Sequence, residues 1–443
     1  MKVSIMGTGY VGLVTGVCLA EKGFDVSCVD LDPVKVDKIN RGEPPIYERG
    51  LEVMLRRNVG TRLRATLDAR EAVLSSDLTL IAVGTPFDGQ HIDLSYIRES
   101  ARAIGATLRD KRGYHVVVVK STVVPGTTDQ VVLPNLEEAS GTRAGADFGV
   151  GMNPEFLTEG EAIGDFMDPD RIVLGGIDAR TQDALETLYA AFPDAPRLRT
   201  NNSTAEMIKY ASNAMLATLI SFSNEVANLG ASLGGVDTVD VMRGLHLSRY
   251  LSPMEHGKRI EPSVVSFLMA GCGFGGSCLP KDVSALVAYG RDRGVPMDLL
   301  HSTLAVNKRQ PAEVFRLLAK HFPSLAGKRV SVLGLAFRPD TNDMRESPAI
   351  PIIRRLLEEG AVVSAYDPAA TEEARRILGD SISYRDSLDD VLAEADAVVL
   401  VTRWKEFERV PALLAKCAPA PVVVDGRRML EKGSIARYEG IGL

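Results

Sequence analysis

The first thirty residues contain a glycine-rich turn whose surroundings limit the folds open to the chain. Gly7, Gly9 and Gly12 are spaced as GxGxxG. The turn follows an apolar, strand-like stretch (KVSIM) and precedes a helical one (VGLVTGVCLAEKG). In that context the first glycine permits a tight turn, the second lets the backbone approach a pyrophosphate, and the third lets helix and strand pack closely. The sequence therefore predicts a β-α-β dinucleotide-binding unit here.

An acidic residue follows the turn at the distance typical of such units. Asp30 lies 18 residues after Gly12, at the end of the second strand-like run. A carboxylate in this place accepts hydrogen bonds from ribose hydroxyls, and it would repel a 2′-phosphate. We therefore expect NAD, and not NADP, with its phosphates at the N-terminus of the first helix. The alternative is an ordinary glycine turn that binds no dinucleotide, with an acidic residue at this distance by chance.

Strand-like and helical stretches alternate in two parts of the chain. The strand-like runs are short, apolar and separated by amphipathic segments, which is typical of parallel strands buried on both faces. In the first part they are Val3–Gly7, Asp25–Asp30, Asp77–Gly84, His115–Ser121, Phe148–Asn153 and Arg171–Gly176. After about Phe322 they are Arg329–Phe337, Ala361–Asp367, Ala395–Val401 and Pro421–Asp425. The pattern predicts two doubly wound sheets.

Between the two α/β parts the sequence becomes helical. A proline-free stretch runs from Ser203 to Leu233, with Ser203 or Thr204 expected as its N-cap. About thirty helical residues make a rod of roughly 45 Å, which is longer than one domain requires. The predicted fold is α/β, with two Rossmann-like doubly wound parallel-sheet domains joined by a long central helix and a helical middle domain. The predicted domains are 1–202, 203–322 and 323–443, with the long helix at a homodimer interface.

Composition argues against several other classes of protein. Hydrophobic residues make up 45% and charged residues 25% of the chain, as in an ordinary globular protein. The net charge of −7 is unlike that of a nucleic-acid-binding protein. No apolar run approaches the roughly 20 residues of a membrane helix, and no Cys/His cluster has metal-ligand spacing. The five scattered cysteines and the absence of room for a leader peptide predict a cytoplasmic protein without metal, membrane or nucleic-acid partners.

A second glycine-rich segment, Gly271–Asp282 (GCGFGGSCLPKD), delivers a cysteine to the start of a predicted helix. A proline two residues later suits the first turn of that helix. Cys278 would thus lie at a helix N-terminus beside Lys281, and both features lower a thiol pKa, as a thiolate nucleophile requires. Asp282, four residues on, returns to the same face. An isolated cysteine is usually a small core residue, and we expect that role for Cys272.

Two pairs of polar residues are further candidates for the same chemistry. Glu155 and Glu159, in NPEFLTEG, are spaced i, i+4, as are Lys209 and Asn213 in EMIKYASN. Each pair is expected to project from one helix face into one cleft. The alternatives are an acidic first helix turn for the glutamates and a solvated helix face for the second pair.

Residues that follow predicted strands complete the candidates. Thr85 and the segment Ser121–Thr127 come after strand-like runs, where small hydroxyl residues bond ribose or substrate in open α/β sheets. Ordinary turn chemistry is the alternative for both. Arg338 and Arg345 follow the first strand of the last α/β part, and arginines at a strand end suit bidentate binding of phosphate.

With these motifs in view, the chain resembles the UDP-glucose/GDP-mannose dehydrogenase family. GxGYVGL, VGTP, STVxPGT, NPEFLxEG, EMIKYASN, GFGGSCLPKD and AFRPDTNDMRESP occur in the family's order along the whole chain. The resemblance implies a homodimeric enzyme that oxidises the C6 hydroxymethyl group of a nucleotide sugar to a carboxylate with two NAD and one water. It implies UDP-glucose, giving UDP-glucuronate, as the first expected substrate. GDP-mannose or another nucleotide hexose is the alternative.

The resemblance also implies roles for individual residues. Cys278 is expected to add to the intermediate aldehyde, giving a thiohemiacetal and then a thioester that water hydrolyses. Lys209 and Asn213 are expected to stabilise the oxyanion. Proton transfer, with water, is expected from Asp282, Glu155, Glu159 and Thr122. The expected NAD contacts are Gly7, Gly9, Tyr10, Val11, Gly12, Asp30, Lys35, Thr85, Thr122, Glu159, Lys281 and Arg345. The expected substrate contacts are Phe156, Leu157, Lys209, Asn213, Arg249, Arg259, Phe267, Phe274, Gly275, Phe337 and Arg338.

Two features depart from the family's usual pattern. Arg338 stands where the family most often has lysine, which keeps the charge and changes its geometry. The segment between Leu245 and Gly271 is longer than in the usual UDP-glucose enzymes. Within it, Arg249 or Arg259 is expected to reach the sugar, from this subunit or its partner.

Two other classes of protein compete with this interpretation. A hydroxyacid dehydrogenase of the 6-phosphogluconate type shares the Rossmann start, the helical middle and even a lysine–asparagine helix pair, but it needs neither a thiol nor a second Rossmann-like domain. A non-enzymatic NAD-sensing or scaffold protein would have no use for the thiol, the lysine–asparagine pair and the acids together. Loss of acid formation on removing the thiol would separate the leading interpretation from the first alternative.

Overall fold

The chain divides into two units, Met1–Ser212 and Asn213–Leu443, in a computed structural model that describes residues 1–443. Each unit contains its own large sheet, of eight strands in the first and six in the second. The α/β fold with two doubly wound sheets is therefore confirmed. The division into three domains at residues 202 and 322 stays a prediction.

Eight strands form the sheet of the first unit. They are β1 (Lys2–Met6), β2 (Asp25–Val29), β3 (Leu63–Thr66), β4 (Leu78–Ile81), β5 (His115–Val119), β6 (Phe148–Met152), β7 (Ile172–Gly176) and β8 (Arg197–Thr200). Their spatial order is β3-β2-β1-β4-β5-β6-β7-β8. The first six pair in parallel, and all of these except β3 lie at predicted runs. β7 pairs antiparallel to β6, so the parallel pairing expected for that run is wrong. Glycines permit this close pairing, because a Cβ on Gly151 would lie 2.8 Å from the carbonyl oxygen of Gly175.

Helices cover both faces of this sheet. They are α1 (Tyr10–Glu21), α2 (Pro33–Asn40), α3 (Leu51–Asn58), α4 (Ala69–Leu74), α5 (Ser95–Leu108), α6 (Leu133–Ser140), α7 (Ala162–Met167) and α8 (Ala179–Leu188), with a π-helical turn at Thr128–Val132 and a 3₁₀ turn at Tyr189–Ala191. Successive residues of β5 enter two different apolar cores: Val116 and Val118 pack in one, and Val117 and Val119 in the other. A strand with two buried faces has no polar side, which explains its continuous apolar sequence.

The predicted long helix is present as α9 (Asn202–Leu233), with 32 residues. Its N-cap is Asn201, whose side-chain oxygen accepts the N–H of Thr204 at 2.8 Å. The expectation that Ser203 or Thr204 caps this helix is therefore wrong by two or three residues. Both residues lie within the first turn of the helix, and the cap precedes that turn.

Six parallel strands form the sheet of the second unit, after a short hairpin of β9 (Met254–Glu255) and β10 (Lys258–Arg259). They are β11 (Arg329–Leu333), β12 (Val362–Tyr366), β13 (Ser383–Tyr384), β14 (Ala397–Leu400), β15 (Val422–Asp425) and β16 (Tyr438–Gly440). Their order is β13-β12-β11-β14-β15-β16, with every neighbour parallel. Apolar cores lie on both faces.

The helices of this unit begin in the predicted helical middle of the chain. They are α10 (Thr238–His246), α11 (Leu279–Asp292), α12 (Asp298–Arg309), α13 (Ala312–Ala319), α14 (Ala349–Glu358), α15 (Thr371–Leu378), α16 (Leu388–Leu392) and α17 (Val410–Leu414), with 3₁₀ turns at Ser263–Phe267, Lys405–Arg409 and Lys432–Ser434. None of the helices in either unit combines the length and apolarity that crossing a membrane requires.

Candidate active site

The glycine turn between β1 and α1 has the geometry that its spacing predicts. Gly7 has a φ of +96°, in the region that favours glycine. A Cβ on Gly12 would lie 2.0 Å from the carbonyl oxygen of Gly7, so only glycine allows this approach of helix to turn. Open space surrounds the missing Cβ of Gly9, and no side chain caps the N-terminus of α1 there. A dinucleotide pyrophosphate fits this uncapped helix end.

Asp30 is fixed beside that turn. Its Oδ2 accepts the N–H of Thr8 at 2.9 Å and the hydroxyl of Thr8 at 2.5 Å, and its Oδ1 accepts the N–H of Asp32 at 3.0 Å. Burial pushes the pKa of Asp30 up, but these hydrogen bonds outweigh it and hold the pKa below its usual range. Each oxygen of an ionised carboxylate accepts more than one donor, so the residue fits the ribose hydroxyls of NAD.

The loops that follow β4 and β5 are joined to each other. The hydroxyl of Thr85 donates to the backbone carbonyl of Thr122 at 2.8 Å. Both threonines therefore lie together beyond the carboxyl ends of adjacent strands, where ligands of such sheets bind. Lys35 lies in the first turn of α2, shortly after Asp30.

Glu206 of α9 holds the same region, and sequence reasoning missed it. Its buried carboxylate accepts the N–H of Gly126 at 2.5 Å and the N–H of Thr128 at 2.8 Å. Burial raises the pKa of Glu206 to about 7, against the lowering effect of these hydrogen bonds. The segment that carries Thr122 is thereby tied to the helix that carries Lys209.

The glutamates of NPEFLTEG lie in the loop between β6 and α7, so the predicted helix face for Glu155 and Glu159 is wrong. Glu155 accepts the N–H of Leu157 at 2.6 Å, which closes a tight turn instead of a helical one. A proline before Glu155 disfavours a helix at the residue that precedes it. Glu159 follows at the half-buried end of the loop.

Glu155 forms a buried ion pair with Lys209, at 3.0 Å and with side chains 6% and 4% exposed. Burial alone would raise the pKa of Glu155, but the charge of Lys209 and the N–H of Leu157 bring it below its usual range. The Phe156 ring packs against cations on Arg171, at 3.7 Å, and on Lys209, at 5.6 Å. The pair thus places a fixed cation and a fixed anion next to an aromatic ring.

A second buried cation, Lys120, accompanies this ion pair and was also missed. Its ammonium donates to the side-chain oxygen of Asn153 at 2.9 Å. Burial lowers the pKa of Lys120 to about 8, although the charge of Glu155 opposes this. The buried group of Lys120, Glu155 and Lys209 therefore has more positive than negative groups, which favours an anion nearby.

In the second unit, Cys278 is the N-cap residue of α11, with a proline at the helix start, as predicted. Its side chain is half-buried, and its Sγ lies 3.5 Å from the hydroxyl of Ser277. Cys272, by contrast, is fully buried, and burial raises the pKa of its thiol. Cys278 is thus more exposed to solvent than Cys272, as the sequence predicts.

The backbone that leads to Cys278, here called the thiol loop (Gly271–Ser277), is held by side chains distant in sequence. The Asn224 side chain accepts the N–H of Gly271 at 2.8 Å. The Asn307 side chain accepts the N–H of Phe274 at 2.7 Å and donates to its carbonyl at 3.0 Å. Arg427 donates to the carbonyl of Gly273 at 2.7 Å. These three residues fix the loop's path, and none of them belongs to a motif that the sequence singled out.

Two glycines let other segments pack directly on the thiol loop. A Cβ on Gly275 would lie 2.2 Å from the carbonyl oxygen of Glu346. Gly276 has a φ of +87°, and its missing Cβ would lie 2.6 Å from the Phe337 ring. The expected substrate contacts Gly275, Phe274 and Phe337 are thus brought together within the second unit.

Asp282 lies four residues after the thiol, in the first turn of α11. It is 1% exposed and accepts a hydrogen bond from the Asn213 amide at 2.6 Å and one from the Lys281 ammonium at 2.6 Å. An amide nitrogen carries two hydrogens, so Asn213 keeps one for a further acceptor. Lys209 and Asn213 both lie on α9, as predicted, but they belong to different units and bind different acids.

The arginines expected to contact phosphate or sugar do not form one cluster. Arg345 makes a bidentate pair with Asp343, at 2.7–3.0 Å. Arg338 is half-buried directly after Phe337. Arg259 is exposed and donates to the carbonyls of Leu247 at 2.7 Å and Ser252 at 3.1 Å. Arg249 is exposed in the same segment, and Phe267 is half-buried after it.

The fold and these two sets of residues define a class of protein: a dinucleotide-dependent dehydrogenase with a thiol in its second unit. Comparison with known families agrees. Three family profiles match successive parts of the chain: the NAD binding domain of the UDP-glucose/GDP-mannose dehydrogenase family over residues 1–193, its central domain over 203–309 and its UDP binding domain over 331–432. The chain therefore belongs to the UDP-glucose/GDP-mannose dehydrogenase family, and the predicted NAD-dependent nucleotide-sugar dehydrogenase is confirmed.

Relatives match over the full length. UDP-glucose 6-dehydrogenase AglM of Haloferax volcanii is 43% identical over 446 residues, covering 100% of both chains. GDP-mannose 6-dehydrogenase of Pseudomonas putida is 38% identical over 460 residues, again with 100% of both covered. The structure of a UDP-glucose dehydrogenase from Pyrobaculum islandicum has a TM-score of 0.90 and 41% identity, over 100% of this chain and 97% of that one.

Proposed function

We propose that this enzyme carries out the four-electron oxidation of the C6 hydroxymethyl group of a nucleotide sugar to a carboxylate. UDP-glucose, giving UDP-glucuronate, is the first proposed substrate, and UDP-glucose 6-dehydrogenases are among the most similar relatives. GDP-mannose is the second, because GDP-mannose 6-dehydrogenases match over the same length at 38–39% identity.

One observation carries the proposal: a half-buried thiol at the start of α11, at the end of a loop whose backbone is held by Asn224, Asn307 and Arg427. A helix N-terminus favours the thiolate form of a cysteine. A simple alcohol dehydrogenation stops at the aldehyde and needs no such group. A covalent thiol intermediate explains how oxidation continues to the acid without release of the aldehyde.

NAD, when bound, accepts one hydride in each of two oxidations, so that alcohol, two NAD⁺ and one water give carboxylate, two NADH and three protons. In the proposal Gly7, Gly9, Tyr10, Val11 and Gly12 hold the pyrophosphate, and Asp30 holds the adenosine ribose. The remaining proposed NAD contacts are Lys35, Thr85, Thr122, Glu159, Lys281 and Arg345. The proposed substrate contacts are those implied by the family resemblance, from Phe156 to Arg338.

The covalent steps take place at Cys278. Its thiolate adds to C6 of the aldehyde, which forms a C–S bond and opens the C=O double bond. Protonation of the resulting alkoxide gives a thiohemiacetal. Loss of the second hydride from C6, together with loss of the hydroxyl proton to a base, leaves a thioester. Water then attacks the thioester carbon, the C–S bond breaks, and the carboxylate leaves while the thiol is restored.

Charged residues around these steps have distinct proposed tasks. The ammonium of Lys209 and the remaining amide hydrogen of Asn213 stabilise the oxyanions. The carboxylates of Asp282, Glu155 and Glu159, with the hydroxyl of Thr122 and water, take up and return protons. The buried pairing of Lys209 with Glu155 supports this division, because it holds the pKa of Glu155 below its usual range and fixes both side chains before substrate binds.

A substrate panel tests the proposed function. UDP-glucose, GDP-mannose and dTDP-glucose are supplied separately with NAD⁺, and NADH and sugar product are measured. We expect two NADH for each sugar oxidised, with UDP-glucose giving the highest kcat/KM and an acid as product. One NADH per sugar with free aldehyde in solution would contradict the thioester pathway. Turnover of GDP-mannose alone would overturn the proposed base and hexose.

We also propose that the enzyme is a homodimer that uses α9. Six apolar residues follow one another at alternating spacings of four and three: Met215, Leu219, Phe222, Val226, Leu229 and Leu233. This is the heptad seam through which helices pair. Phe222, Leu229 and Leu233 are 47%, 63% and 68% exposed in the single chain. A second copy presents the same stripe, so a two-fold interface would bury both.

Replacing Phe222 with glutamate should separate the subunits. It places a charge in the middle of the stripe, and we expect the dimer dissociation constant to rise at least tenfold. Sedimentation equilibrium at several protein concentrations measures this. Glu99→Gln, at an exposed position of α5, is the control and should leave association unchanged. An equally tight dimer in Phe222→Glu would place the interface elsewhere.

A further inference from the structure

Glu48 is a buried carboxylate without a task in the proposed reaction. Its side chain is 6% exposed, although it lies in the irregular segment between α2 and α3. A carboxylate in such a place requires hydrogen-bond donors, because burial of an unpaired charge is very costly. The hydrogen-bond donors around Glu48 therefore show which parts of the molecule this side chain connects.

The carboxylate of Glu48 contacts two segments that are distant in sequence. Its Oε2 accepts the phenol of Tyr10, which lies inside the glycine turn, and the N–H of Gly160 at 2.8 Å. Its Oε1 accepts the N–H of Ala162, the first residue of α7, at 3.0 Å. The oxygen of Tyr10 also accepts the N–H of Gly160, at 3.0 Å. Glu48 thus links the NAD-binding turn to the end of the acidic loop.

The contact falls next to a proposed reacting group. Gly160 directly follows Glu159, and its φ of +91° lets the chain turn there into α7. The other end of this loop is held at Glu155, through Leu157 and Lys209. The loop is therefore fixed at both ends, and Glu48 is the fixing residue at the end that carries Glu159.

We propose that Glu48 is a positioning residue that sets Glu159 relative to the glycine turn, acting through Gly160 and Tyr10. The inference rests on the proposed function, in which Glu159 contacts NAD and transfers protons. A role limited to capping α7 is the competing explanation. Loss of that role would lower stability and open the loop locally, whereas loss of a positioning role would also weaken the binding of NAD.

The first test is Glu48→Gln, which keeps the size of the side chain. An amide has one oxygen, so its NH₂ group must face either Ala162 or Gly160, where it meets an N–H donor. We expect hydrogen–deuterium exchange at residues 158–162 to accelerate at least tenfold. We also expect NAD⁺ binding, measured by calorimetry, to weaken about tenfold, while UDP-glucose binding changes less than twofold.

Glu52→Gln is the matched control. Glu52 lies one turn further along, is 55% exposed and pairs with Arg56 on the surface of α3. The same chemical change there should leave exchange at 158–162, NAD⁺ binding and kcat at wild-type values.

Tyr10→Phe provides a second variant that leaves the caps of Gly160 and Ala162 in place. It removes the phenol that joins Glu48 to the turn, while Gly160 keeps Glu48 as its hydrogen-bond acceptor. We expect NAD⁺ binding to weaken about threefold to tenfold, and the double variant to be no weaker than Glu48→Gln alone, since both changes break one connection. This variant decides the question if Glu48→Gln does not fold.

A lower unfolding midpoint and faster exchange at 158–162 in Glu48→Gln, together with wild-type NAD⁺ affinity, would overturn the inference in favour of capping. So would additive effects in the double variant. Failure of the proposed function is seen separately, as wild-type enzyme that forms no NADH with any sugar of the panel. In that case NAD⁺ binding still decides the role of Glu48.

Discussion

Cys278→Ser will lose acid formation by a factor on the order of 10³ or more, because a serine hydroxyl is not ionised near neutral pH and cannot replace a thiolate nucleophile. The helix start that carries the residue is unchanged by the substitution, and the side chain is nearly the same size. Product acid measured by mass spectrometry, together with NADH per sugar, gives the result. We expect any residual NADH to correspond to one oxidation and to appear with aldehyde.

The control for this variant is Cys417→Ser, another half-buried cysteine, whose thiol contacts the carbonyl of Leu413. It should retain wild-type kcat and KM within about twofold, since no proposed step involves it. If Cys278→Ser still produced acid at the wild-type rate, the thioester pathway would be wrong.

Lys209→Met should have the largest combined effect on stability and rate. It removes the cation that lies 3.0 Å from Glu155 and leaves that carboxylate buried. Loss of one partner of a buried ion pair costs about 3–5 kcal/mol of unfolding free energy. Loss of a donor to the oxyanion should lower kcat about 10²–10³-fold. Urea unfolding and steady-state kinetics measure the two effects separately.

Glu155→Gln/Lys209→Met separates the two contributions. Removing both charges leaves no buried unpaired carboxylate at this position, so we expect more than half of the lost unfolding free energy to return while kcat stays low. Lys38→Met, at an exposed position of α2, is the control for loss of a lysine. If the double variant were as unstable as Lys209→Met, the ion pair would not be the source of the lost stability.

Local sequence patterns predicted the parts of the fold that local physics determines. The central strands were found because burial on both faces makes them continuously apolar, as in His115–Val119. The short strands β3, β8, β13 and β16 were not predicted, since edge strands of two to four residues leave little pattern to read. The reversed direction of β7 was missed because apolar character does not encode strand direction.

In the candidate site, too, the residues set by local motifs were predicted and those set by distant contacts were not. The glycine turn, Asp30 and the position of Cys278 at a helix start follow from motifs whose geometry is local. The pairing of Glu155 with Lys209 was not predicted, because the spacing of the glutamates suggested a helix where the chain forms a loop. Arg427 had a weak signal, as an arginine after a strand. Asn224 and Asn307 had none, since polar residues inside helices are common.

The way the thiol loop is held has a consequence for protein design. The side chains that bond its backbone are Asn224, Asn307 and Arg427, which come from two helices and from the turn after a strand. The seven residues of the loop therefore do not specify their own conformation. A scaffold given only this short sequence would gain a cysteine on a flexible, glycine-rich segment. A successful graft would have to transfer these three distant anchors as well.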